Sequence, residues 1–404
     1  KVLRRVCGGS LIKRKILSIV LSVCLVCTIL AVNGEAEAIE QKKAPQRTVK
    51  VVKFNTEMKA VWVSFLDFQN LGLTNVREKT FKKNAEIMVK DAKKNGINTI
   101  FFHVRAFDDA AYKSKVFRAM RYLKTNASYA KPATSSFSYD PLKLAVEAAH
   151  KHGVQLHAWL NPYRVGYDYF LSPKSEYSTN RIIKAVNEIL AYKVDGIHFD
   201  DYFYHAKKGY YRLNSKKQYS VNPATAKKDY SPSSINKRRY VNKLIRRVNK
   251  TTQGKALFSV SPAGNVDNCM NSGVDLTTWL SNDGYVDMIM PQIYWTDNWG
   301  ASGRVKMFSS RLGQFMRKNK KKIPMVIGLA LYRSGEHGLG DKGWSMRGSN
   351  ISGQIKSIRR HGLGGYCLFR FNNLYQGRCK KEVRNMRKIS KYKKLITKIS
   401  FKRR

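Results

Sequence analysis

From residue 58 onward, short apolar runs alternate with longer amphipathic stretches. The apolar runs are AVWVSF (60–65), TIFFHVRAF (99–107), QLHAWLNP (155–162), GIHFDDYF (196–203), ALFSVSPAG (256–264), DMIMPQIY (287–294), PMVIGLAL (324–331) and GGYCLFRF (364–371). Each has the length and the β-branched and aromatic content of a buried parallel strand. The stretches between them carry a helical period. Residues 76–96 place Phe81, Ala85, Met88 and Ala92 on one face and stop at Gly96. Residues 140–153 open with Asp140 as N-cap and Pro141 in the first turn, and end on Gly153. Residues 180–193, 235–252, 305–319 and 351–362 behave alike, and a shorter piece, 275–281, links the fifth and sixth runs.

Eight strands alternating with helices predict an α/β fold, a (β/α)8 TIM-type barrel, as a single catalytic domain over residues 58–376. The competing architecture is an open doubly wound sheet. No Gly-rich dinucleotide or phosphate-binding fingerprint follows any strand, which argues against that sheet and gives no reason to expect a cofactor. Two segments break the rhythm. Residues 205–234, after strand four, are a Lys-, Tyr- and Ser-rich insertion placed to act as a lid or substrate wall. Residues 377–404 form a basic tail, and Ile and Leu within 388–404 are spaced like an amphipathic helix suited to an anionic surface.

Residues 39–57 are polar and Lys-rich and read as a linker. Ahead of them, Lys1, Arg4, Arg5 and Lys13–Lys15 precede an apolar run at 16–32 and the small-residue triplet AEA at 36–38. This is the form of a secretory signal peptide cleaved after Ala38, with a retained membrane anchor as the alternative. Either predicts an extracytoplasmic protein, secreted or associated with wall or membrane. Three of the six cysteines fall in this leader; Cys269, Cys367 and Cys379 make neither a disulfide framework nor a metal cluster.

The net charge of +49 points to a polyanionic setting: nucleic acid, an anionic membrane or an anionic cell wall. The basic residues run along the whole chain without a nucleic-acid motif, so nucleic acid is not the expected partner.

In a barrel of this type the working residues stand at the C-terminal ends of the strands. There the chain places Asp67; Arg105 with Asp108 and Asp109; Asn161, Tyr163 and Arg164; Asp200, Asp201 and Tyr202; Ser261 and Asn265; Gln292, Tyr294 and Trp295; Tyr332, Arg333 and Glu336; and Arg370 with Asn372. Carboxylates, amides and guanidinium groups interleaved with aromatic rings suit a sugar, whose hydroxyls need hydrogen bonds and whose faces pack on rings. There is no HExxH motif and no GxSxG elbow, and His103, His157 and His198 read as interior residues, so no metal is expected. Along strand four, His198, Asp200 and Tyr202 share one face and Ile197, Phe199 and Asp201 the other, which aims Asp200 into the barrel mouth. Salt-bridging to Arg105 or Arg164 is the purely structural alternative for the pair.

The blocks VDGIHFDDYFY, HAWLNPYR, NTIFFHVRAFDDAAY, DMIMPQIYW and IGLALYR resemble the glycosyl-hydrolase-like 10 family of bacterial barrel proteins, over roughly residues 58–375. The resemblance implies a TIM-type barrel, export and hydrolysis of glycosidic bonds, with peptide-free peptidoglycan glycan strands as the substrate of some members. It implies Asp200 and Asp201 as catalytic carboxylates and Arg105, Asn161, Arg164, Gln292 and Tyr294 as pocket residues. Asp108, Tyr163, Tyr202 and Trp295 complete the expected substrate contacts. The chain departs from the family pattern at His103 and Ala106, where Gln and Pro are usual, at His205, where Pro is usual, and along strand five.

Most glycosidases need two carboxyl groups across the sugar ring. Asp200 supplies one; its partner is to be sought among Asp201, Asp108, Asp109 and Glu336. A second route uses the substrate's own 2-acetamido group, steadied by one carboxylate and a Tyr, and Asp200–Asp201 beside Tyr294 is compatible with it. The expected activity is therefore a secreted glycoside hydrolase on a polysaccharide, held near the anionic wall by its charge. The alternative is a non-catalytic sugar-binding or wall-associated protein on the same barrel.

Overall fold

The computed structural model of the chain describes residues 48–124, 136–166, 169–204, 209–211, 234–338 and 340–403. The leader at 1–38 and nearly all of the insertion at 205–234 lie outside the described residues.

Eight parallel strands form one sheet: β1 (Met58–Val63), β2 (Thr99–Arg105), β3 (Gln155–Leu160), β4 (Gly196–Phe199), β5 (Leu257–Val260), β6 (Met288–Ile289), β7 (Val326–Leu329) and β8 (Gly365–Leu368). Each pairs with its sequence neighbour and β8 pairs with β1. The remaining gap, between β6 and β7, is bridged at Ile289–Met325 and Gln292–Gly328. The barrel therefore closes in chain order, as strand–helix repetition with right-handed crossovers requires.

The crossover helices are α1 (Glu78–Lys94), α2 (Pro141–Lys151), α3 (Glu176–Leu190), α4 (Ser234–Thr252), α5 (Val266–Asn271), α6 (Met307–Lys318) and α7 (Asn350–Arg360), with α8 (Lys380–Ile389) following β8. The α1 face predicted from the helical period, Phe81, Ala85, Met88 and Ala92, is buried. Asp140 caps α2 by accepting from the Lys143 amide. These faces pack on the outward side chains of the strands in one continuous core that includes Ile100, Phe102, Ile197, Phe199 and Phe258. A second, inner cluster fills the lumen with Met58, Ala60, Trp62, Phe101, Trp159, Met288, Met290, Val326 and Cys367. Gly196 is required there: a Cβ on it would lie 2.1 Å from Nδ1 of His157.

Both chain ends differ from their expectation. Within the stretch read as a linker, Thr48–Phe54 is a strand, and in place of a helical tail Thr397–Arg403 is a strand that pairs with it. Just before that strand the chain crosses the floor of the barrel. Leu395 joins the lumen cluster, Lys59 Nζ donates to the Lys391 carbonyl at 2.7 Å, and Asn98 Nδ2 donates to the Lys393 carbonyl at 2.9 Å. The alternation of Leu395, Thr397 and Ile399 fits a strand as well as a helix, and pairing with a segment some 340 residues away decides between them. Cys269, Cys367 and Cys379 are free thiols.

Candidate active site

β4 is a short buried strand whose Ile197 and Phe199 face the helices, so His198 and Asp200 face the lumen. The Asp200 amide donates to the Leu160 carbonyl of β3 at 3.1 Å, extending the ladder by one step and fixing the carboxyl at the mouth. Gln292, beyond β6, donates its Nε2 to Asp200 Oδ1 at 2.9 Å and to the Ser261 carbonyl and hydroxyl at 3.1 and 3.2 Å. The Asp201 amide donates to the same Asp200 oxygen at 2.8 Å. The two carboxyl groups also hydrogen-bond each other.

Burial pushes the proton affinity of both carboxyls up. On Asp201 the negative charge of Asp200 adds to burial, and its pKa rises well above the usual carboxylate range. On Asp200 the donors from Asp201 and Gln292 and the Arg164 charge oppose the rise. Both carboxyls are thus biased toward their protonated form, Asp201 more strongly than Asp200.

Aromatic rings frame this pair. The Arg164 guanidinium lies 4.6 Å from the Phe107 ring centre and 4.3 Å from that of Tyr202, which stacks on Phe170. Tyr294, Tyr332 and Phe369 make mutual contacts with centroids 5.7 to 6.0 Å apart. Burial and the nearby Asp200 charge keep the Tyr294 phenol protonated, well above its usual range. Trp295 is half-buried, against Gly264 and within 5.7 Å of the Arg311 guanidinium. Asp200, Asp201, Arg164, Gln292, Tyr202 and Tyr294 therefore converge.

Five other candidates do not join them. Between His103 and Arg105 the β2–β3 register shifts, so that His103 pairs with Trp159 but Arg105 pairs with Leu160, a residue of the outer core. The bulge turns Arg105 away from the lumen. It is fully buried and donates to the Asn161 and Pro162 carbonyls and to Asp108. Asp108 accepts in turn from Arg181 at 2.9 and 3.0 Å, so this carboxylate is locked between two guanidinium groups. Tyr163 is buried in the outer core, edge-on to Phe203. Glu336 pairs with the exposed Arg378 at 3.0 Å. Asp109 likewise accepts from the amides of Ala106 and Phe107.

Two lumen residues that the strand-end reading passed over stand directly below the pair. His103 stacks on Trp159, with centroids 3.8 Å apart and planes within 13°. The His103 ring, Trp159 Nε1 and Asn161 Oδ1 are all sealed from solvent, with the Asn161 side chain and the Arg105 backbone against the imidazole. His103, at the family position usually held by Gln, was the visible signal. Its neighbour His198 is fully satisfied: Trp62 Nε1 donates to its Nε2 at 3.1 Å, leaving Nδ1–H to donate to the Ser259 hydroxyl at 2.8 Å. Among the described residues no group of three or more His, Cys, Asp or Glu is arranged to hold a metal ion.

A closed parallel barrel with a carboxyl pair at its C-terminal mouth is a frame on which glycosidic bonds are cut. Solved glycoside hydrolases share the fold. The glycoside hydrolase domain of PgaB (BpsB) from Bordetella bronchiseptica superposes with a TM-score of 0.54 over 84% of this chain and 100% of that one, at 12% identity. An endo-1,4-beta-mannanase from Rhizomucor miehei gives 0.50 over 83% and 94%, at 9% identity. Residues 57–170 and 163–346 match the model of the glycosyl hydrolase-like 10 family, and the chain belongs to that family. It is 27% identical over 354 residues to glycosyl hydrolase DigH of Escherichia coli O6:H1, covering 72% of this chain and 77% of that one. It is 25% identical over 295 residues to glycosyl hydrolase YngK of Bacillus subtilis, covering 61% of this chain and 56% of that one.

Proposed function

We propose that the protein is a secreted glycoside hydrolase acting on an amino-sugar polysaccharide, foremost the glycan strands of peptidoglycan, with Asp200 and Asp201 as its working pair. The observation that carries this reading is the adjacent carboxyl pair at the barrel mouth, Asp200 and Asp201, set among aromatic side chains with the Asp201 amide donating to Asp200. Hydrogen-bonded carboxyls are far closer than the roughly 5–9 Å at which two carboxyls flank a sugar from opposite sides. Among the described residues, the other carboxyls considered as partners, Asp108, Asp109 and Glu336, are engaged elsewhere. That favours the substrate's 2-acetamido oxygen as nucleophile. Asp201 gives its proton to the leaving glycosidic oxygen as that oxygen parts from the anomeric carbon and the acetamido oxygen bonds to it. The Asp200 carboxylate accepts from the acetamido N–H and balances the positive charge that develops. Water then opens the ring intermediate and returns a proton to Asp201. The net charge of +49 supports residence on an anionic wall polymer.

The test is to incubate the protein with peptidoglycan, intact and freed of peptides by an amidase, beside Asp200→Asn. Sugar fragments released by the wild type alone establish the activity and assign Asp200. Binding without any product, in both forms, removes the hydrolase reading in favour of a sugar-binding protein.

A further inference from the structure

We infer that Arg333 reads a carboxylate on the bound sugar chain, at a position next to the reacting carboxyl pair. The inference rests on the glycosidase reading above and deepens it by naming a charged group of the substrate.

Arg333 belongs to a short 3-10 turn, Leu331–Arg333, that follows β7 at the mouth. Its link to the carboxyl pair runs through one tight turn after β6. Gln292 donates to Asp200 at 2.9 Å, and the Tyr294 amide donates to the Gln292 carbonyl at 3.0 Å. The Tyr294 carbonyl accepts from Arg333 Nη1 at 3.4 Å, and the Tyr332 hydroxyl accepts from Arg333 Nε at 3.1 Å. The Tyr332 ring stands edge-on to Tyr294, whose phenol feels the Asp200 charge. The guanidinium is therefore fixed from two sides, one residue away from the ring that borders Asp200.

What this guanidinium lacks is a counter-ion. Among the described residues no carboxylate pairs with it. Glu336, the nearest acid along the chain, donates its amide to the Arg333 carbonyl at 2.9 Å but turns its carboxylate to Arg378. On the neighbouring strand end, Arg370 leans on Asp67 at 3.5 Å. In a chain with 76 basic and 27 acidic residues, an unpaired cation on the open surface means little. Arg333 is in a different position: it is half-buried, and its orientation is set by two hydrogen bonds. Drawing a charge partly out of water without a partner costs free energy. Its Nη2 donates to nothing among the described residues, and the residue still reaches solvent at the mouth. A pre-oriented guanidinium is the side chain best matched to a planar carboxylate, which accepts from two of its N–H groups. The glycan proposed above supplies that group. An amidase hydrolyses the amide that joins peptide to sugar, and leaves a free carboxylate on each sugar that carried a peptide.

The test reads one ratio: kcat/KM on amidase-stripped glycan strands over kcat/KM on the same strands after their carboxylates are coupled to methylamine. The two probes share every sugar and differ in that charge. The expected ratio is about tenfold or more in the parent and about one in Arg333→Gln. Arg333→Lys should fall between them, since it keeps the charge and loses the fork. A merely structural role for Arg333 lowers both values together and preserves the ratio, which overturns the inference. A parent ratio near one also overturns it, while the glycosidase reading stands because both probes are cut. A parent that cuts neither probe overturns both.

Discussion

The floor and the mouth of this barrel place their buried polar groups differently. At the floor, Lys59 and Asn98 place their side-chain donors on carbonyls of the crossing C-terminal segment, and Lys50 pairs with Asp287 at 2.6 Å. Leu395 closes the lumen with hydrocarbon. At the mouth, two carboxyls are held above their normal proton affinity, and Trp159 Nε1, Arg370 Nη1 and Asn372 Nδ2 are buried without a hydrogen-bond partner. The floor is organised for stability. The mouth gathers carboxyls, amides and aromatic rings at the strand ends, which is where barrels of this class do their work.

If that contrast is right, substitutions at the two ends should separate activity from stability. The largest effect belongs to Asp200→Asn. It should lower turnover on amino-sugar glycan by about a thousandfold, in the range of lost acid–base function, with no loss of thermal stability. A variant retaining most of its turnover removes Asp200 from the chemistry. At the floor, Leu395→Ala should cost about 2–4 kcal/mol of unfolding free energy in urea and leave turnover per folded molecule within twofold. A large fall in turnover there breaks the division between the ends.

The third effect is a pH slope. Asp67, at the end of β1, is fully buried beside Arg370, and burial raises its pKa to about 6. A raised carboxyl binds its proton more tightly folded than unfolded. Its stabilising contribution is thus complete below about pH 4 and is lost as pH rises through about 6. Asp67→Asn should flatten the stability profile over that window by about 2–3 kcal/mol, measured by denaturation from pH 4 to 7. An unchanged slope assigns it to other groups. The smallest effect is expected at Glu336: Glu336→Gln should change stability by less than about 1 kcal/mol and turnover by less than twofold. A hundredfold loss in turnover would restore it as the second carboxyl.

Much of this was legible in the sequence. The eight apolar runs coincide with the eight barrel strands because each run is buried on both faces and needs no partner pattern to be recognised. Asp200 was singled out because a carboxyl at the end of such a run has few structural uses. Arg105 was misplaced because one extra residue in β2 inverts the inward–outward alternation, and such a bulge leaves no mark in composition. The C-terminal strand was hidden because its partner lies at the other end of the chain. His103 and Trp159 were visible as residues, but their stacking across β2 and β3 depends on strand register, which only coordinates reveal.

The crossing segment at the floor also sets an order of events in the life of each molecule. A chain is made from its N-terminus, so all eight barrel strands emerge before Leu395, and until that residue emerges the lumen stays open at one end. Every strand can be present while the barrel is still unsealed. Sealing thus waits on the crossing segment, and a nascent chain halted at residue 389 should remain open to protease where a chain that includes that segment resists it.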